Sequence, residues 1–212
     1  MSGLDVNTVV AMLRHACVGM QAAKEELTHA DQAIGDGDHG IGMYRGFEAV
    51  AKKLESPFES LSQLLNTVGA TLLMSVGGSS GAIFGTLFMA GSKNIPPGAT
   101  LDSFTFGLFL SEGLSAVKQR GGAKVGDKTL VDALEPAAQA ATQAASEGKS
   151  LIACMTAAAQ AAAEGSEKTK SMVATLGRAK TLGERALGHV DPGSVSMTIL
   201  LKEMAAFAAK TV

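Results

Sequence analysis

The sequence predicts an all-α protein, and three observations carry that prediction. Apolar residues recur every three or four positions along most of the chain, no stretch alternates with period two in β-branched and aromatic residues, and the stripes are separated by short turns rich in glycine, proline and serine. With 46% hydrophobic and 18% charged residues the chain has enough apolar surface to fold compactly, and at 212 residues the span 1–212 is expected to form one domain.

The elements follow in order. Val6, Val9, Val10, Leu13, Cys17, Met20 and Leu27 lie on one stripe, with Arg14, Gln21, Lys24 and Glu25 on the other faces, which predicts a first helix over residues 5–27. The period returns with Met43, Phe47, Val50 and Leu54, then with Leu61, Leu64, Leu65, Val68 and Leu72, in an apolar stretch over 81–93, and again with Leu101, Phe104, Leu108 and Val117. Residues 130–164 are dominated by alanine, leucine, glutamine and glutamate and predict two helices separated near Glu147-Gly148, the first kinked by Pro136. Ser194 is placed as the N-cap of a last helix carrying Val195, Ile199, Leu200, Met204 and Phe207. The segment from Gly165 to Pro192 has little apolar period and reads as a long functional or mobile connection. About eight helices joined by turns at Ser56-Pro57, Pro96-Pro97-Gly98 and Gly121-Gly122 suit antiparallel neighbours in a closed bundle or barrel.

Several function classes are excluded. The net charge of −2 has no run of Lys or Arg behind it, so neither nucleic acid nor a membrane surface is expected as a partner. Cys17 and Cys154 sit in apolar stretches without CxxC spacing and read as buried free thiols. The first five residues lack a basic region followed by an apolar core, and the stretch from Ala82 to Ala90 is too short to span a bilayer, which predicts a cytoplasmic protein.

Chemistry concentrates in Asp31-Gln32-Ala33-Ile34-Gly35-Asp36-Gly37-Asp38-His39-Gly40, read as a loop that follows a helix. Three carboxylates this close repel one another unless they are solvated or share a cation, and the interleaved glycines permit the turns that bring Asp31, Asp36 and Asp38 together. A solvated acidic turn is the plain alternative. Oxygen donors suit magnesium, which typically binds through a few carboxylates together with substrate phosphates. Counting an EF-hand loop from Asp36 puts Phe47 where the bidentate glutamate belongs, and Gly35, Gly37 and Gly40 spell GxGxxG without a preceding strand, so neither motif applies. A second cluster, Ser75-Val76-Gly77-Gly78-Ser79-Ser80-Gly81, runs into an apolar helix and offers free N–H groups and the Ser79 and Ser80 hydroxyls to an anion, or is simply a tight packing turn. No lysine follows its last glycine, so it is not a Walker A loop. Asp127 or Thr129 reads as a helix N-cap, Asp191-Pro192-Gly193 as a turn, and His39 as a loop residue able to donate to a phosphate oxygen. Arg178 could neutralise charge on a transferring phosphoryl group or stand as a solvated surface residue.

Taken in order, Asp31-xxxx-Asp36-Gly37-Asp38-His39-Gly40, Ser75 to Gly81, Gly126-Asp127-Lys128-Thr129, and Gly183-Glu184-Arg185 with Gly188-His189-Val190-Asp191-Pro192-Gly193 resemble the L subunit of dihydroxyacetone kinases over essentially the whole chain. The resemblance implies an eight-helix antiparallel barrel with ADP or ATP at one end, held through two magnesium ions by Asp31, Asp36 and Asp38. It further implies a nucleotide site lined by His39, Gly40, Ile41, Gly42, Ser79, Ser80, Gly121, Leu130, Arg178, Asp191, Pro192 and Gly193, with Arg178 catalytic. Relatives often carry asparagine where this chain has Gly42, which removes a side-chain contact there. A separate K subunit would hold the ketose, dihydroxyacetone or a close relative, and the donor would be exchanged ATP or a bound ADP recharged by a phosphotransferase-system protein. An ADP-loaded subunit that binds a transcription factor is the non-enzymatic alternative. A magnesium-dependent isoprenoid synthase would instead need two acidic clusters on helices.

Overall fold

Nine α-helices and two 3₁₀ segments make up residues 3–211, the part of the chain that the computed structural model describes. The helices are α1 (Val6–Ala22), α2 (Lys24–Ile34), α3 (His39–Lys53), α4 (Leu61–Ser75), α5 (Gly78–Gly91), α6 (Ser103–Gly121), α7 (Val131–Ser146), α8 (Leu151–Lys168) and α9 (Pro192–Thr211). Strands are absent among the described residues, apart from a single isolated bridge between Leu4 and Leu101. No helix among them is long and apolar enough to cross a membrane.

Helix starts follow local side-chain chemistry. Asp5 accepts from the Thr8 N–H at 2.8 Å, Ser60 from Gln63 at 3.2 Å, Asp102 from Thr105 at 2.8 Å and Ser150 from Ala153 at 3.2 Å, each satisfying a donor that the first turn leaves open. The helices then pack in sequence, α3 on α4, α4 on α5 and so on to α8 on α9, and α9 returns to α1, which packs on α3. That order is a closed antiparallel ring of eight helices, as the turns predicted. The ninth, α2, lies outside the ring order against the start of α3, where a Cβ on Gly40 would fall 2.3 Å from the Lys24 carbonyl oxygen.

Four boundaries differ from the sequence reading. The first predicted helix is two, because the chain leaves helical geometry at Ala23 (ψ 5°). The stripe does not mark this break, since Leu27 stands seven residues after Met20 and both are buried. Asp31 therefore lies in the last turn of α2 rather than in a loop, and His39 is the first residue of α3. The long connection begins later than Gly165, which remains inside α8 and packs so tightly on α7 that an added Cβ would meet the Asp132 carbonyl oxygen. The last helix is capped by Asp191, whose carboxylate accepts from the Ser194 N–H at 2.7 Å, with Pro192 at the first helical position, where its missing N–H costs nothing.

Phe47, Phe84, Phe88 and Phe106 are fully buried inside the ring beside Met12, Met20 and Met43, and Phe88 meets Phe109 edge to face at 5.4 Å between centroids. Phe84, on α5, is part of this core and also reaches the end of the ring where the acidic segment lies. Truncating so large a buried side chain removes its burial and leaves a cavity. Phe84→Ala is accordingly expected to lower unfolding free energy by about 3–5 kcal/mol, read as a drop in urea midpoint at unchanged slope.

Candidate functional site

Alternation around the ring brings the N-termini of α3, α5, α7 and α9 to one end, together with the C-termini of α4, α6 and α8, and the outlying α2 ends there as well. A cleft of about 430 Å³ opens there. Helix N-termini present unpaired N–H groups and partial positive charge, so this end suits an anion.

The acidic residues stand at its rim. Asp31 is buried and its Oδ2 accepts from the His39 N–H at 3.1 Å, which fixes the carboxylate across the start of α3. Asp36 and Asp38 are exposed on the segment between α2 and α3. One oxygen from each of the three carboxylates lies within 4.8 Å of the others, a spacing and donor set that fit a hard divalent cation. No second acidic cluster of this kind occurs among the described residues, contrary to the two-cluster arrangement of an isoprenoid synthase. Arg178, at the start of the 3₁₀ segment Arg178–Ala186, brings a cation to this rim, where it pairs with Asp36 and lies 3.7 Å from Asp38.

Between α4 and α5 the chain turns through Gly77 (φ 83°) and Gly78 (φ 58°), a left-handed pair that residues with a side chain rarely adopt. Ser79 and Ser80 form the first turn of α5, and Ser80 Oγ lies 3.0 Å from His39 Nδ1. The other ring nitrogen, Nε2, is 2.7 Å from Ser196 Oγ on α9. Burial holds the His39 pKa below its ordinary value even though the Asp31 charge pulls it upward. The ring is neutral at neutral pH, with one nitrogen donating and the other accepting. His39 thus ties α3 to α5 and α9, rather than standing free in a loop.

A polar layer underlies the cleft. Lys128 is buried, left-handed at φ 59°, and donates to the Thr169 carbonyl at 2.6 Å and the His189 carbonyl at 2.5 Å, closing the two ends of the connection that carries Arg178. Burial lowers its pKa, while the Asp191 and Asp132 charges oppose that shift. Asp127 does not cap α7. Its carboxylate takes the Lys124 N–H at 2.9 Å and the Thr175 hydroxyl at 2.5 Å, while Asp132 accepts from the Gly126 and Thr129 N–H groups at 2.6 and 2.7 Å.

Of the residues expected to line a site, Asp31, Asp36, Asp38, His39, Ile41, Gly42, Ser79, Ser80, Gly121, Leu130, Arg178, Asp191, Pro192 and Gly193 all face this cleft. Gly40 does not, because it turns toward α2. At Gly42 a Cβ would fall 2.9 Å from the Val76 carbonyl oxygen, so a side chain would crowd the backbone here. Sequence reasoning missed Lys128, Asp132, Ser196 and Arg45, which also lines the cleft. Only the Gly126 to Thr129 cluster gave a signal for any of them.

Comparison with known proteins adds to this geometry. A family model described as a DAK2 domain matches residues 33–206. The ADP-binding subunit DhaL of PEP-dependent dihydroxyacetone kinase 1 from Listeria innocua is 38% identical over 186 residues, covering 87% of this chain and 88% of that one. The corresponding subunit from Escherichia coli is 37% identical over 187 residues, covering 88% and 89%. The crystal structure of the dihydroxyacetone kinase from C. freundii in complex with AMP-PNP and Mg2+ matches with a TM-score of 0.74 at 26% identity, over 97% of this chain and 35% of that longer chain.

Asp191 generates a pH prediction. Desolvation pushes its carboxyl up to about 7 from an ordinary value of 3.8, with Asp132 and Asp31 adding to the shift and the Ser194 N–H and Lys128 opposing it. The unfolded chain releases this proton near 3.8 and the folded chain near 7, so the group costs stability progressively as pH rises through that window and fully above it. Asp191→Asn keeps an oxygen for the Ser194 N–H and cannot ionise. Its melting temperature is expected to exceed the parent's by more at pH 8 than at pH 5. An equal difference at both pH values would show that Asp191 does not titrate in this window.

Proposed function

Because the chain belongs to the DAK2 domain family, we propose that it is the nucleotide-binding subunit of a dihydroxyacetone-type kinase, acting as one domain that presents a phosphoryl group to a small ketose held on a separate subunit. The observation that carries this reading is the meeting, in one cleft, of three carboxylates with the N-terminal turns of alternate ring helices. Carboxylates alone would repel a polyphosphate, and helix N-termini alone would not need them. Together they match a magnesium-bound nucleotide.

On this reading Asp31, Asp36 and Asp38 hold two magnesium ions, which neutralise charge on the phosphates of ADP or ATP when bound. The N–H groups after Gly77 and the hydroxyls of Ser79 and Ser80 receive phosphate oxygens, with Ser80 oriented by His39. Gly121, Leu130 and Gly193, between the end of α6 and the starts of α7 and α9, provide a partly apolar wall for the nucleoside. Arg178 leaves Asp36 and Asp38 for the transferring group, where its planar fork stabilises the charge that develops. Phosphoryl transfer depends mainly on positioning and charge stabilisation, so the acceptor hydroxyl must be delivered in line by the ketose-holding subunit. The PEP-dependent relatives favour a bound ADP recharged by a phosphotransferase-system protein. The AMP-PNP complex of the crystallised kinase supports ATP as the second reading of the donor. Placement in the cytoplasm belongs to the same proposal.

Calorimetry is expected to show ADP binding with magnesium and its collapse in excess chelator, and undiminished binding without metal would sink the role given to the aspartates. Asp36→Ala and Asp38→Ala are expected to abolish ketose phosphorylation at unchanged helical circular dichroism, because both side chains are exposed and add little to the core. Arg178→Lys keeps the charge and loses the fork. Its turnover with a ketose-holding subunit is expected to fall roughly 10²-fold while ADP affinity changes far less.

A further inference from the structure

We infer that Arg45 is a positioning residue for the nucleotide site, holding the Gly77-Gly78 turn in the conformation that presents its N–H groups to phosphate; the inference rests on the function proposed above. Arg45 projects from α3, which begins at His39, and its side chain crosses to the end of α4. There Nε donates to the Ser75 carbonyl and one terminal nitrogen to the Val76 carbonyl, both at 2.6 Å. These carbonyls belong to the last residues before the turn and would otherwise lack helical partners. The same terminal nitrogen would lie 3.1 Å from a Cβ on Gly77, so the guanidinium is packed against that residue.

The turn is therefore gripped from both sides by α3, through Arg45 at its entry and through the His39 to Ser80 bond at its exit. Its φ values of 83° and 58° are among several regions open to glycine, and the two-point fork holds the chain in this one. Arg14 makes a comparable bond to the Leu54 carbonyl at 2.7 Å, yet is not among the residues that line this cleft. Arg45 differs in lining the cleft while its charge faces the anion end of the ring. The residue is exposed, so its removal takes little from the core.

The test compares wild type, Arg45→Met and Arg45→Lys by calorimetry with magnesium ADP, by thermal melting, and by hydrogen exchange at Gly81, whose N–H bonds the Gly77 carbonyl at 3.0 Å across the turn. Loss of a charge-assisted fork predicts an affinity lower by roughly tenfold or more in Arg45→Met, faster Gly81 exchange in the nucleotide-free protein, and melting close to wild type. Arg45→Lys restores charge without the fork and is expected to recover only part of the affinity. Wild-type affinity in Arg45→Met, or full recovery in Arg45→Lys, would overturn the inference while leaving the proposed function standing. If wild-type protein itself failed to bind magnesium ADP, the proposed function and this inference would fall together.

Discussion

Antiparallel closure of the ring is the constraint on which the rest of the molecule depends. Once α9 packs back on α1, every second helix must begin at the same end, and four sets of unpaired N–H groups are gathered there whether or not a ligand is present. Such a concentration of partial positive charge has to be answered, and the chain answers it from within. Asp31 spans the start of α3, Asp191 caps α9, Asp132 takes the N–H groups ahead of α7, and the turn before α5 receives no such carboxylate among the described residues. The acidic rim and the open turn are two responses to one geometry.

How far this was legible depends on the range of the interactions. The ring helices announced themselves through the apolar period, and the acidic trio through its spacing, because both are local patterns. The break at Ala23 left no mark, since Leu27 continues the stripe of Met20 in phase and the change of direction is set by packing against α3. His39 read as a loop residue because its partners Ser80 and Ser196 are 41 and 157 positions away. Lys128 and Asp132 belong to residue types normally found at the surface, and only the fold shows them buried against carbonyls and N–H groups. Asp191 looked like part of a turn because a capping aspartate followed by proline has the same composition as one. Residues whose role lies in long-range polar pairing are the ones that local pattern does not reach.

The polar layer beneath the cleft explains how a long irregular connection holds an arginine in place. Residues 169–191 contain two short 3₁₀ segments and few core contacts, a combination that would leave Arg178 poorly placed if only its neighbours restrained it. Lys128 binds carbonyls at both ends of the connection, and the Thr175 hydroxyl is held by Asp127, so the segment is anchored near both its limits and once within. The anchors are hydrogen bonds to backbone and hydroxyl groups rather than apolar contacts. Arg178 is thereby carried to the rim of the cleft, where it meets Asp36 and Asp38.

The same alternation that gathers the cleft at one end sends the beginning of α1 and the end of α9 to the other. Leu4 pairs with Leu101 just ahead of α6, at the pole remote from the cleft, and α9 runs 20 residues away from Asp191, about 30 Å of helix. Both ends of the fold therefore emerge on the side away from the chemistry, so a neighbouring polypeptide joined there need not obstruct the mouth. That is a portable design. It accounts for how this architecture can stand as a separate subunit in some proteins and make up about a third of a much longer kinase chain in another.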